Sequence, residues 1–147
     1  MRTVSSNAAR FIACALFIGG MVACGRYYDS PYYPPGNSAI GEWGNQSSDV
    51  IVTHTSTHVT VSCSFGDFPG EISLDQNGRF TINGSWNRST GPIQLNGAMP
   101  AQMSGQVYGN EMTFAIAVND TVAKQVTSIG PVIVDYGRAG GRVPCPL

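Results

Sequence analysis

The chain predicts an all-β domain: a small antiparallel up-and-down barrel or, alternatively, a sandwich, with about seven to nine strands and one disulfide. Three observations predict it. From Ile40 onward, short alternating apolar and polar runs are separated by Gly, Asn, Asp and Ser, the pattern of half-buried strands between turns. No segment carries an apolar stripe at 3.6-residue spacing. Candidate hairpins also place their apolar residues on one face of both strands. That test is strict, because a one-residue slip would reverse every side chain.

The elements follow in order. Trp43, in Gly41-Glu42-Trp43-Gly44, opens the domain and suits a large aromatic plugging one end of a small core. Val50–Thr55 and His58–Cys63, joined by Ser56-Thr57, pair Val52 with Val61 and Val50 with Cys63, which sets Cys63 facing inward near a strand end. Ser-Thr is a poor pair for a tight turn that needs positive φ, which leaves room for a longer one. Glu71–Asp75 and Arg79–Trp86 come into phase only across a three-residue loop, Gln76-Asn77-Gly78. Leu74 then meets Phe80, Ile72 meets Ile82, and Gly78 supplies a left-handed residue. Gln102–Tyr108 and Glu111–Val118, turned by Gly109-Asn110, pair Tyr108 with Glu111, Val107 with Met112, Gly105 with Phe114 and Met103 with Ile116. A last pair, near Lys124–Ile129 and Val132–Tyr136, is interrupted at Gly130-Pro131 by a bulge or kink. In-phase hairpins in sequence order make a meander. A sheet with one apolar face must close or fold over.

Residues 1–23 read as a different object. Arg2 and Arg10 precede the apolar run Phe11–Ala23, the plan of a secretory signal. The run is shorter than the roughly 20 residues a membrane-spanning helix needs. Met21-Val22-Ala23-Cys24 resembles a lipobox, in which a small residue precedes a cysteine that takes a thioether-linked diacylglycerol. Met21 stands where Leu is more usual. The alternative is conventional cleavage that leaves Cys24 an ordinary thiol. A box ending at Cys14 fails, because no apolar region precedes Phe11.

Removing residues 1–23 removes Arg2 and Arg10, so Lys+Arg falls from 8 to 6 against 9 Asp+Glu and the formal net charge moves from −1 to −3. That argues against a nucleic-acid partner, which needs a basic face. The remaining length suits one domain with a real core. Cys63 and Cys145 are then left in an oxidising compartment, with one intramolecular pairing open to them. Closing that loop of about 80 residues contributes up to about 4 kcal/mol through chain entropy.

Residues 24–38 form a Tyr/Pro-rich tether. Prolines favour an extended spacer of about 3.1 Å per residue, roughly 40 Å at full stretch. Tyr27, Tyr28, Tyr32 and Tyr33 read as interfacial filler near a membrane, or as a stacking surface for a sugar or partner. The folded domain is expected over 39–147.

No constellation of catalytic or metal-ligating residues stands out, and no cofactor is expected. His54 and His58, spaced i, i+4, project to opposite faces of the proposed hairpin, and no third ligand accompanies them. Gly-x-Ser-x-Gly on a strand–helix elbow is missing. Asp49, Asp67, Asp75, Asp120 and Asp135 lie by turns, as solvated carboxylates do. Gly137-Arg138-Ala139-Gly140-Gly141 is glycine-rich but has neither the Lys nor the strand–helix setting of a phosphate loop. The sequons at Asn45, Asn83, Asn87 and Asn119 matter only on a eukaryotic secretory path.

Several fragments recur in a telling order: Gly41-Glu42-Trp43-Gly44, Cys63-Ser64-Phe65-Gly66, Leu74-Asp75, Gly78-Arg79-Phe80, Gly91-Pro92-Ile93, Gly105 through Thr113, and Cys145. The series resembles a group of small exported bacterial lipoproteins of unknown function. These open with Gly-x-Trp-Gly, carry Cys-x-x-Gly and end near a cysteine. The resemblance spans most of residues 41–145. It implies the β domain and the disulfide, and it brings no activity and no functional residues.

The resulting expectation is a membrane-tethered, non-enzymatic envelope domain that binds an unknown protein or supports structure. It is held by lipid on Cys24, and Gly25 favours the outer membrane where one exists. One alternative is a calycin-like carrier with a small apolar ligand in its lumen. Another is an inhibitor of a lysozyme or protease, inserting a loop such as Pro69-Gly70 or Ser85–Pro92.

Overall fold

The computed structural model describes residues 36–90 and 93–141, and it is a closed antiparallel barrel of eight strands in meander order. The strands are β1 (Gly41–Gly44), β2 (Ser48–Val52), β3 (Ser56–Val61), β4 (Ser64–Pro69), β5 (Arg79–Thr90), β6 (Ile93–Tyr108), β7 (Glu111–Asp120) and β8 (Gln125–Tyr136). β8 closes on β1 through Trp43↔Tyr136 and Gly44↔Asp135. The expected all-β up-and-down barrel is the observed architecture, and the sandwich alternative is not. The chain enters at Gly36; the end of the barrel nearest it is called proximal below, and the other distal.

The β6–β7 hairpin has the register expected of it: Tyr108↔Glu111, Val107↔Met112, Gly105↔Phe114 and Met103↔Ile116. The β7–β8 ladder shifts by one residue between Phe114 and Ile116, opposite Ile129 to Val132. The Gly130-Pro131 interruption is therefore a bulge within one strand, and the bond between the two residues is cis.

Two sequence expectations are corrected. Val50 pairs with Val59, not Cys63, and Val52 with Thr57, not Val61. The slip is four residues, an even number, so the apolar residues keep their inward face. The turn forms earlier, at His54-Thr55, because the Thr53 hydroxyl accepts the Ser56 amide at 3.0 Å and Thr53 N–H donates to Ser56 O at 2.8 Å. Cys63 consequently sits half-buried in the β3–β4 turn and not on a strand. It is disulfide-bonded. Cys145, its expected partner, and Cys24 lie outside the described residues, as does the expected signal segment, residues 1–23.

The second correction concerns residues 71–75, which form no strand. β5 pairs with β4 over Phe65↔Asn87 to Asp67↔Ser85, and with β6 along its length. The 71–75 segment instead meets the incoming chain at the proximal end: Ala39 N–H donates to Ile72 O at 3.0 Å, and Leu74 N–H to Asn37 O at 2.7 Å. Ile72 and Ala39 are both fully buried there. So Asn37 and Ser38, expected in the tether, are already tied to the barrel. The expected turn survives: Asp75 Oδ1 accepts the amides of Asn77 and Arg79 at 2.8 Å each, and Gly78 has φ of 71°.

Inward side chains fill the lumen. Trp43, Trp86, Phe68, Phe114, Met103 and Met112 are each almost completely shielded from solvent. Their apolar area removed from water is the main stabilising term. Trp43 stands edge-on to Tyr136, with ring centres 4.9 Å apart, and its Nε1 donates to Ala39 O at 2.9 Å.

After β8 the chain doubles back over the outside of β1. Gly137 N–H donates to Glu42 O and Gly141 N–H to Asn45 O, both at 2.7 Å. This strap lies flush only because Gly44 beneath it has no side chain. A Cβ there would sit 2.6 Å from Gly140 N and 2.8 Å from Ala139 C.

Candidate functional site

With the lumen occupied by the protein's own side chains, binding surfaces must be sought outside it. Four ion pairs tie charged or titratable side chains of the described barrel to a neighbour, while Lys124, like Arg79, has none among the described residues. His54 faces Glu71 at 3.4 Å across the proximal turns. Arg138 faces Asp135 at 3.3 Å. Arg88 sits 3.6 Å from the buried Asp120 and donates to Thr127 Oγ1 at 3.0 Å. Asp120 is further held by the amides of Val122 and Ala123. This cluster joins β5 to β7 and β8 at the distal rim.

His58 is the most suggestive pair-former for chemistry. Its Nδ1 lies 2.7 Å from Asp67 Oδ1, its Nε2 lies 3.4 Å from Thr60 Oγ1, and its ring tilts against Phe65 at 5.9 Å. Carboxylate, imidazole and hydroxyl therefore line up in the order used for nucleophile activation. The setting works against that use. His58 and Asp67 side chains are 44% and 61% exposed on the convex outside of β3 and β4, where water is not excluded. The arrangement ties two neighbouring strands together across their register pair His58↔Asp67. His54 and His58 thus serve different carboxylates and do not converge, and no group of three or more metal-ligating side chains occurs among the described residues.

The most enclosed concavity is elsewhere. A half-open groove of about 480 Å³ lies at the proximal end, between the 74–79 turn and the β6–β7 hairpin, lined by Asn37, Asp75, Asn77, Arg79, Gln106 and Tyr108. A second, shallower trough of about 450 Å³ runs up the outer face past Ser104, Gln106, Thr113, Ala115 and Pro131, and shares Arg79 with the first. The β8 bulge places Pro131 as one wall of this trough. Arg79 is brought there by the Asp75 turn, which captures its backbone amide. Its guanidinium has no ion pair among the described residues. Tyr108 lies beside it, 78% exposed.

Beyond Arg79, Tyr108 and Glu111, the described outward positions of β5 to β7 carry mainly amides, hydroxyls and alanines. Thr81 pairs with Ser104, and Asn83 with Gln102, whose Nε2 donates to Asn83 Oδ1 at 3.0 Å. Gln106 Nε2 donates to Asn77 O at 2.8 Å, bracing the groove wall. Sequence reasoning missed this surface. Its members come from four strands and a turn, and the one available signal was Arg79, an isolated cation within an otherwise uncharged stretch.

Compared with protein-family models, curated proteins and solved structures, the chain matches none.

Proposed function

We propose that this protein is an exported envelope lipoprotein, anchored through lipid on Cys24, whose barrel binds a partner on its outer surface and performs no catalysis. The observation that carries the binding reading is the filled lumen combined with an outer groove whose cation is left unmatched. The paired charges elsewhere behave as structural ties. The anchoring half of the reading rests on Arg2 and Arg10, the apolar run, and Ala23-Cys24. Gly36, where the described chain begins, is at the groove's edge, so a Tyr/Pro tether would present this end of the barrel towards the membrane and its Tyr27, Tyr28, Tyr32 and Tyr33 towards the interface. An outer-membrane address follows from Gly25 where such a membrane exists.

Intact-mass measurement of the protein extracted from membranes tests the anchor. The expected species begins at Cys24 and carries diacylglycerol, and Cys24→Ala releases the protein from the membrane fraction. An unlipidated chain in the soluble fraction would refute the reading.

A second reading has one specific observation in its favour. The β5–β6 hairpin outruns both its neighbours: β4 pairs with β5 only as far as Asn87, and β7 with β6 only from Ala101, while β5 and β6 stay paired to Thr90↔Ile93. A projecting two-stranded hairpin suits insertion into the cleft of a lysozyme or protease. Inhibition of such an enzyme, abolished by shortening residues 88–95, would establish it. The apolar-carrier alternative has no such support, since the lumen is packed.

A further inference from the structure

The geometry points to an acidic glycan, a polysaccharide strand bearing carboxylates, as the ligand of the groove and trough that meet at Arg79. This rests on the non-catalytic binding reading above and gives it a substrate class. Three features converge. Arg79 offers a planar fork of donors suited to a carboxylate, and it lines both concavities without an ion pair among the described residues. Tyr108 projects an exposed ring at the proximal groove, a flat apolar face against which a sugar ring can rest. Between and beyond them runs a ladder of uncharged hydrogen-bonding groups, Gln106, Ser104, Thr113 and the Asn83–Gln102 pair, which can exchange bonds with sugar hydroxyls at little desolvation cost.

The acidic groups nearby set the register of such a ligand. Asp75 lines the same groove and brings its own negative charge, with its Oδ1 turned to two backbone amides, so only the Arg79 side of the groove can take a carboxylate. Glu111 stands opposite Tyr108 and keeps a second carboxylate from settling over the ring. One carboxylate is therefore placed over Arg79, and the neutral faces of neighbouring sugars run along β6.

The test uses the full-length protein extracted in detergent, titrated with oligogalacturonate as the carboxylated probe and with dextran oligomers of matched length as the neutral one. Sedimentation with purified peptidoglycan sacculi is a further arm, distinguishing a wall-bound source of carboxylates from a soluble one. Oligogalacturonate is expected to bind, more weakly as salt rises. Arg79→Ala should lose about tenfold in affinity, with Arg79→Lys recovering part of it, and Tyr108→Ala should lose a smaller factor. Arg79 is exposed and only its backbone is engaged, so both variants fold. Equal affinity for dextran, or wild-type affinity in Arg79→Ala, would overturn the assignment while leaving the lipoprotein reading intact. Release of new reducing ends from the bound glycan would support the site but overturn the non-catalytic reading.

Discussion

Gly44→Ala is the sharpest perturbation the fold offers. In an ordinary strand, replacing Gly by Ala is stabilising by about 0.5–1 kcal/mol, because the unfolded chain loses freedom. At Gly44 the sign should reverse. The new methyl would overlap Arg138 O and approach Gly140 N to 2.6 Å, and these are backbone atoms that no rotamer change can move. The strap must lift. Lifting it breaks the Gly137–Glu42 and Gly141–Asn45 hydrogen bonds, each 2.7 Å, and the weaker contact of Gly140 N–H with Asp49 Oδ1 at 3.3 Å. At about 1 kcal/mol net for each good bond, the expected loss is about 2–3 kcal/mol. Urea unfolding followed by tryptophan fluorescence measures it, and hydrogen exchange reads the cause, since the Gly137 and Gly141 amides should lose protection while those of β6 and β7 keep it. A variant as stable as the parent, with both amides still protected, would refute the flush-packing argument.

Other outcomes follow from the same structure. Trp43→Phe strands the Ala39 carbonyl, whereas Trp86→Phe removes an Nε1 that is buried with no partner among the described residues; the first should therefore cost about 1–2 kcal/mol more in chemical denaturation, and equal costs would count against the contrast. Asp120→Ala should destabilise by about 2–3 kcal/mol, since it removes the acceptor for two turn amides and leaves Arg88 unmatched. Asp120→Asn keeps an acceptor oxygen and should cost less, so the thermal midpoints of the two variants should separate. Peptide mapping without reduction should recover Cys63 linked to Cys145: the strap's last described residue, Gly141, lies against Gln46, next to Ser47, whose carbonyl holds Ser62, so four further residues can span the gap. Recovery of Cys63 linked elsewhere would reject that pairing.

How far the fold can be read from sequence varies with how local its determinants are. The β6–β7 register was legible because Gly109-Asn110 sets the turn and four apolar positions agree with it. The β2–β3 register was not, because several even slips satisfy the same inward pattern, and the choice among them fell to the Thr53 hydroxyl. Residues 71–75 alternate like a strand, and Ile72 is indeed buried, but their partner is the incoming segment 37–39, far away in sequence. Pattern reports which side chains are hidden, not what hides them. The functional surface was the least legible part. Arg79, Tyr108, Thr113 and Pro131 acquire a common address only once three hairpins have closed, and the His58–Asp67 pair likewise needed the β3–β4 register.

The closure at the proximal end also has a mechanical consequence. A pull on the chain from Gly36 falls first on the 37–39 contact with 72–74 and only then reaches β1, which is held by β2 on one side and β8 on the other. Those ladders are then loaded in shear, with all their bonds sharing the force, and the 37–39 and 72–74 contact must part first. A partner seated on the outer face would drag on the domain against its anchor in this direction. The strand nearest the load is the one whose bonds cannot be unzipped one at a time.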